Sequence, residues 1–154
     1  MSDPEPDPKS KEWKRSNFVA APHFYNLNQA CLMVTKAFDT CPYLVGSAMK
    51  TKDYRDVDVR LILPDEEYDR LFHDAQSGYL NAFWSLLCTS ISMYLSKASD
   101  LPIDFQIQRR TQANEQHSGP RHPIGIFLDY PEKSPSEIVT PTASEEAQHT
   151  PPPL

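Results

Sequence analysis

Hydrophobic residues recur at helical spacing in two segments of this chain. The first segment predicts a helix that starts near Leu27, with Asn26 or Asn28 as its cap, and that ends before Pro42. The second predicts a helix over residues 79–97. Its expected buried stripe comprises Leu80, Phe83, Trp84, Leu87, Ile91, Tyr94 and Leu95.

Short apolar runs and strict alternation predict strands elsewhere. The run 43–45 lies between a proline and a glycine, and the clearest alternation covers 56–63, where Pro64 follows. A third strand is predicted over 103–108 and a last short one over 124–128, with a long polar loop over 109–123 between them.

These elements, with a short helix over 65–72 whose first turn is acidic, predict one small domain. The fold class is α+β or α/β, in which helices pack against a small mixed β-sheet. The proline-rich ends lack apolar periodicity. We therefore expect a disordered segment over 1–17, a folded domain over 18–130, and a disordered tail over 131–154.

Composition and charge restrict the binding partners and the cellular location that we expect for this chain. The formal net charge is -6, which disfavours simple electrostatic attraction to nucleic acid or to an anionic membrane. No apolar run reaches the roughly 20 residues of a membrane span, and the N-terminal residues lack a signal-peptide core. Cys31, Cys41 and Cys88 show no CxxC spacing. The expectation is a cytoplasmic protein with reduced thiols and no membrane partner.

Two carboxylates share one face of the clearest strand. Strand side chains alternate with a period of two, so Asp56 and Asp58 point the same way. Like charges held together repel unless a cation neutralises them, and Mg²⁺ prefers oxygen ligands. Asp104 is an acid in the 103–108 strand, on the face opposite Phe105. If this strand lies beside the 56–63 strand, the three carboxylates converge.

Three converging acids beside a tight turn suit phosphoryl or nucleotidyl transfer with two metal ions. Asp104 could then accept or orient the proton of the attacking hydroxyl. Gly46 and Ser47 form the turn. Its backbone N–H groups and hydroxyl could hold phosphate oxygens, and glycine permits a close approach.

These residues resemble the polymerase β-like nucleotidyltransferase superfamily. The shared pattern is a strand that ends in Gly46-Ser47, then Asp56-Val57-Asp58, then a third acid at Asp104 on a later strand. The helix and strand that precede the turn also lie where this family places them. The resemblance covers roughly residues 27–108 and implies a minimal nucleotidyltransferase domain that uses Mg²⁺ and a nucleoside triphosphate.

The resemblance also implies roles for individual residues. Asp56 and Asp58 would be metal ligands, Asp104 the third catalytic acid and metal ligand, and Gly46 and Ser47 would hold the triphosphate. Two Mg²⁺ ions and an NTP are the implied cofactor and substrate. The hydroxyl acceptor stays open between protein, nucleic acid and a small molecule.

Several polar residues near this set admit two interpretations. Lys50, Lys52 and Arg55 could bind nucleotide or an acceptor, or belong to a solvated loop. Arg60 shares the face of the carboxylates and could pair with an acid or with a phosphate, and structural pairing is the interpretation we favour.

The later basic and amide residues also leave two interpretations open. Gln106 and Gln108 share the face of Asp104 and could line the site or form an ordinary exposed face. For Arg109-Arg110 and Arg121-His122-Pro123, a surface role is favoured over contact with phosphate.

A second functional class is a non-catalytic module that keeps this fold and binds a nucleotide, nucleic acid or partner protein. The small size and the proline-rich tail support it. As an enzyme, a chain of this size could work as a homo-oligomer or with a partner protein that supplies the acceptor site. Classical Walker A, GxGxxG, GxSxG and histidine metal motifs are absent from the sequence.

Overall fold

The computed structural model describes residues 15–73 and 80–126. The predicted tail at 131–154 and most of the predicted segment at 1–17 lie outside the described residues. Within the described part, four α-helices and four strands form a mixed α+β fold. In chain order they are α1 (His23–Phe38), β1 (Tyr43–Val45), a 3₁₀ turn (Gly46–Met49), β2 (Val57–Leu63), α2 (Asp65–Leu71), α3 (Ala82–Ser99), β3 (Ile103–Arg109), α4 (Arg110–Gln116) and β4 (His122–Pro123).

The sheet has the strand order β3-β2-β1-β4. β1 runs antiparallel to β2 and to β4, whereas β2 and β3 are parallel. A parallel pair needs a long crossover, and α2 and α3 lie in the connection between these two strands. The expected pairing of the third predicted strand with the 56–63 strand is confirmed, with Asp58 opposite Asp104.

One face of the sheet forms the core with the stripes of α1 and α3. Alternate side chains of β2 and β3 are buried there, because strand side chains alternate between the two faces. The cluster includes Val57, Val59, Leu61, Leu63, Ile103, Phe105 and Ile107 from the strands, Leu27, Ala30, Cys31 and Val34 from α1, and Trp84, Cys88 and Leu95 from α3. The helical spacing of the hydrophobic residues in the first predicted helix is confirmed, because Leu27, Ala30, Cys31 and Val34 are buried on one side of α1.

Both long helices begin at residues other than those predicted. α1 starts at His23 and has no side-chain cap, while the Asn28 side chain accepts a hydrogen bond from the backbone of Gly125 instead. α3 starts later, because the Asn81 side chain caps it by accepting from the Trp84 N–H. Leu80 therefore precedes the helix and is 84% exposed, so its predicted place in the buried stripe is wrong.

The outer face of α3 also departs from the prediction. Phe83 and Tyr94 are 51% and 44% exposed, whereas Cys88 and Ser99 are buried. The buried residues of α3 are thus Trp84, Cys88, Leu95 and Ser99. Leu87 and Ile91 are partly buried and pack against the core.

The predicted long loop over 109–123 contains α4 and β4. α4 buries only Ala113 among its residues, so it carries no apolar period that the sequence could reveal. Polar contacts hold it instead: Asp65 accepts from the Thr111 backbone and hydroxyl, and Arg109 pairs with Asp65 and Asp69. At the other end, Arg121 donates to carbonyls of the last turn, where a cation is favourable.

The last strand is also displaced from its predicted position at 124–128. β4 covers His122–Pro123 and pairs with β1, and the buried Ile124 follows it. The predicted residues 127 and 128 lie outside the described part. No helix in the described ranges is long and apolar enough to cross a membrane.

Candidate functional site

The second face of the sheet is polar and carries an open cleft of about 500 Å³. Its floor consists of side chains that alternate with the core residues on β2 and β3. One wall is formed by the turn after β1, and the other by residues 116–121, which connect α4 to β4. The cleft volume lies within the ~300–1,000 Å³ typical of small-ligand sites.

Asp58 and Asp104 lie side by side at one end of the parallel pair, and Arg60 bridges them. Its Nη2 lies 3.0 Å from Asp58 Oδ1 and 2.9 Å from Asp104 Oδ2. Its Nη1 donates to the Asp104 backbone carbonyl at 2.6 Å and to the Val59 carbonyl at 3.1 Å. The Arg60 side chain is 13% exposed, so the bridge is largely shielded from water. The favoured interpretation of Arg60 as a structural partner of the acids is confirmed.

The Asp58 carboxyl is perturbed by this environment. Partial burial raises its pKa above the usual value, and the neighbouring Asp104 carboxylate adds to the rise, while Arg60 opposes it. A cation in this position therefore stabilises the charged pair. The same arrangement, one carboxylate that lines the cleft with a second directly beside it, provides the oxygen donors that Mg²⁺ prefers.

Gly46 is required where the turn meets these carboxylates. Its φ is +74°, which side chains other than glycine rarely adopt, and a Cβ there would overlap the Asp58 carboxylate oxygen. The turn therefore approaches Asp58 as closely as the backbone allows. Lys50, four residues later, also lines the cleft.

The remaining predicted site residues are not among the described residues that line the cleft. Asp56 precedes β2, and its 55% exposed side chain faces Arg55 at 3.8 Å, with Arg55 itself 95% exposed. Ser47 and Lys52 are exposed and do not belong to the cleft lining in the described part. The structure thus brings together Gly46, Lys50 and the pair Asp58 and Asp104. No cluster of three or more metal-ligating side chains was found in the described ranges.

The cleft is locally basic although the chain is acidic. Among its described lining residues, Lys50, Arg60 and Arg121 are cations and Asp58 is the carboxylate. Arg121 also donates to the Asn114 side chain at 3.0 Å and to two carbonyls, so it holds the 116–121 wall in place. A local excess of positive charge favours an anionic ligand.

Glutamine side chains occupy the far end of the cleft. Gln106 and Gln108 face it from β3, and Gln116 comes from the end of α4. A second cavity of about 100 Å³ shares these three residues and adds Gln112, with Tyr68 and Trp84 on its apolar side. Sequence reasoning considered Gln106 and Gln108 but missed Gln116, because α4 lacks an apolar pattern.

Comparison of the chain with protein-family models, with curated proteins and with solved structures gave no significant match.

Proposed function

We propose that this chain binds a nucleoside triphosphate in the cleft and transfers its nucleoside monophosphate to a hydroxyl acceptor. The observation that carries the proposal is that the Gly46 turn and Asp58 line a basic cleft, with Asp104 directly beside Asp58 on the neighbouring strand. A polymerase β-like nucleotidyltransferase requires this arrangement, with its third acid on the strand beside the first two. Lys50 and Arg121 add positive charge for the phosphates.

The residues of the site fit a divalent cation. Asp58 and Asp104 would hold Mg²⁺ with adjacent carboxylate oxygens, and Asp56 lies one residue before the same strand as a further donor. The proposed site holds two such ions. Bound Mg²⁺ would neutralise phosphate charge and lower the pKa of the attacking hydroxyl.

The proposed reaction balances without a further reactant. The acceptor hydroxyl oxygen forms a bond to the α-phosphorus, and the bond from that phosphorus to the bridging oxygen breaks. Pyrophosphate leaves with the electron pair of that bond. Asp104, whose side chain is 44% exposed, accepts the hydroxyl proton.

A label-transfer assay tests this proposal. The full chain is incubated with Mg²⁺, each α-labelled NTP, and protein, RNA or polyol acceptors, and pyrophosphate release is measured alongside. Asp58→Asn and Asp104→Asn should each abolish both signals, because they remove a charge from the pair. Glu66→Gln is the matched control, since Glu66 is exposed on α2. Transfer that persists in Asp58→Asn would overturn the mechanism.

Arg60 favours a second candidate, a non-catalytic nucleotide-binding or partner-binding module. A largely buried guanidinium already pairs with both carboxylates and offsets one of their two negative charges, so the pair has a partner without any metal ion. In that case triphosphate binds to the basic lining, Mg²⁺ does not strengthen the binding, and no pyrophosphate is released. Calorimetry with a non-hydrolysable NTP, with and without Mg²⁺, separates the two candidates.

A further inference from the structure

The strand register orders the cleft into three rows of facing residues. Asp58 lies opposite Asp104, then Arg60 opposite Gln106, then Ile62 opposite Gln108. Successive rows are two residues apart, or about 6.6 Å in parallel strands, so the first and last rows are separated by about 13 Å. The cleft therefore passes from a charged end to an uncharged end.

The last of these rows combines amide side chains with a nearly buried isoleucine. Ile62 lines the cleft there but is only 6% exposed, so the groups open to a ligand at this row are mainly the amides. Gln108 is beside Ile62, and Gln116 approaches from α4. The smaller cavity opens between the same two glutamines and continues toward the Tyr68 and Trp84 rings. A concave site in which a few amide groups converge can hold a planar heterocycle by hydrogen bonds to its edge.

We propose that this end of the cleft binds an adenine base, with Gln108 and Gln116 as the residues that select it. This inference rests on the proposed function, because it takes the triphosphate to lie at the charged end. Phosphates near the Asp58 row would leave room for the ribose at the middle row and for the base at the row of Gln108.

The chemistry of the amide favours adenine among the purines. A glutamine amide offers one donor group and one acceptor, and adenine presents a matching amino donor beside a ring-nitrogen acceptor. Guanine presents two adjacent acceptors at its O6 and N7 edge, which a cation matches better. Arg121 is a cation of the 116–121 wall, and its donors already contact Ala113, Asn114 and His117.

Nucleotide binding by calorimetry tests the inference, with inorganic triphosphate as a probe for the charged end alone. The full chain in Mg²⁺ should bind a non-hydrolysable ATP analogue roughly 5- to 150-fold more tightly than the GTP analogue, the range expected for one bidentate amide–base pair. The double variant Gln108→Leu and Gln116→Leu should bind both analogues about equally and bind inorganic triphosphate as the wild type does. Gln29→Leu, an exposed position on α1, is the matched control.

The outcomes separate the two proposals. Binding of inorganic triphosphate and of all nucleotides without a base preference overturns the adenine site and leaves the proposed function standing. An adenine preference that persists in the double variant also overturns the assignment of the two glutamines. Failure of inorganic triphosphate and every nucleotide to bind overturns both. Unfolding in urea shows that each variant is folded under the binding conditions.

Discussion

Replacing Arg60 by methionine should destabilise the protein, because it removes the cation between two neighbouring carboxylates. The substitution keeps most of the apolar stem and deletes a guanidinium that contacts Asp58, Asp104 and the Val59 carbonyl. Removing one partner of a fully buried pair costs about 3–5 kcal/mol, and an exposed pair contributes about 0–1 kcal/mol. The two carboxylates are 27% and 44% exposed. We therefore expect a loss of about 2 kcal/mol in the free energy of unfolding at pH 7.

The loss should depend on pH with a defined sign. Burial and the neighbouring acid raise the pKa of Asp58 in the folded protein. A raised pKa means that the protonated form stabilises the fold, and that this contribution disappears as the pH rises through the folded-state value. Without Arg60 the pKa of Asp58 rises further. The difference between variant and wild type should thus be largest at neutral pH and should shrink as the pH falls through the raised pKa of Asp58, which lies above the usual value of about 4 for an aspartate.

Urea unfolding with and without Mg²⁺ measures both effects. If the carboxylates form a cation site, Mg²⁺ should raise the unfolding midpoint of Arg60→Met more than that of the wild type. A ligand at 100 times its dissociation constant contributes about 2.7 kcal/mol. The control is Arg55→Met, because that side chain is 95% exposed and should give almost no change. An Arg60→Met variant as stable as the wild type at neutral pH would refute the reasoning.

Two further predictions concern single residues outside this bridge. Gly46→Ala should lower the free energy of unfolding, measured by thermal unfolding, by about 1–3 kcal/mol, because the positive φ and the adjacent Asp58 carboxylate oppose a Cβ. The control is Gly119→Ala, where no atom lies within 4 Å of an added Cβ, and it should cost less than about 0.5 kcal/mol. Burial raises the pKa of Cys31 to about 12 and that of Cys88 to about 11. At pH 8 an aromatic disulfide reagent should therefore modify the half-buried Cys41 first, and Cys31 and Cys88 only after unfolding in urea. Equal rates of modification for all three cysteines in the native protein would contradict this prediction.

The elements that the sequence predicted well are those with a strong apolar period. In β2 and β3 the first five residues alternate between buried and partly exposed, so period and burial agree there, and β2 then ends in the buried run 61–63. The start of α3 was harder to predict, because it depends on Asn81 and not on the apolar residues before it. α4 escaped prediction because its contacts with Asp65 and Arg121 are polar and distant in sequence.

The candidate site was partly predictable for a similar reason. Alternation alone places Asp58 and Asp104 on the face opposite the core, and parallel pairing then brings them together. The role of Arg60 depends on the same alternation, and the sequence already suggested it. The amide end of the cleft depends on where α4 crosses the sheet, which is a tertiary feature. Gln116 therefore carries no local signal that could have revealed it.

The two functional candidates differ in what Arg60 does when a triphosphate enters the cleft. A guanidinium can exchange carboxylate partners for phosphate oxygens, since both accept its paired donors. If Arg60 turns to the phosphates, Asp58 and Asp104 are left as an unneutralised pair beside further negative charge, and the complex then requires a cation. Nucleotide and Mg²⁺ would in that case strengthen each other's binding by the same factor, because coupling between two sites is reciprocal. If Arg60 stays on the carboxylates, the coupling is close to zero and the site binds its anion without metal. The sign and size of this coupling therefore distinguish an enzyme from a binding module before any acceptor is known.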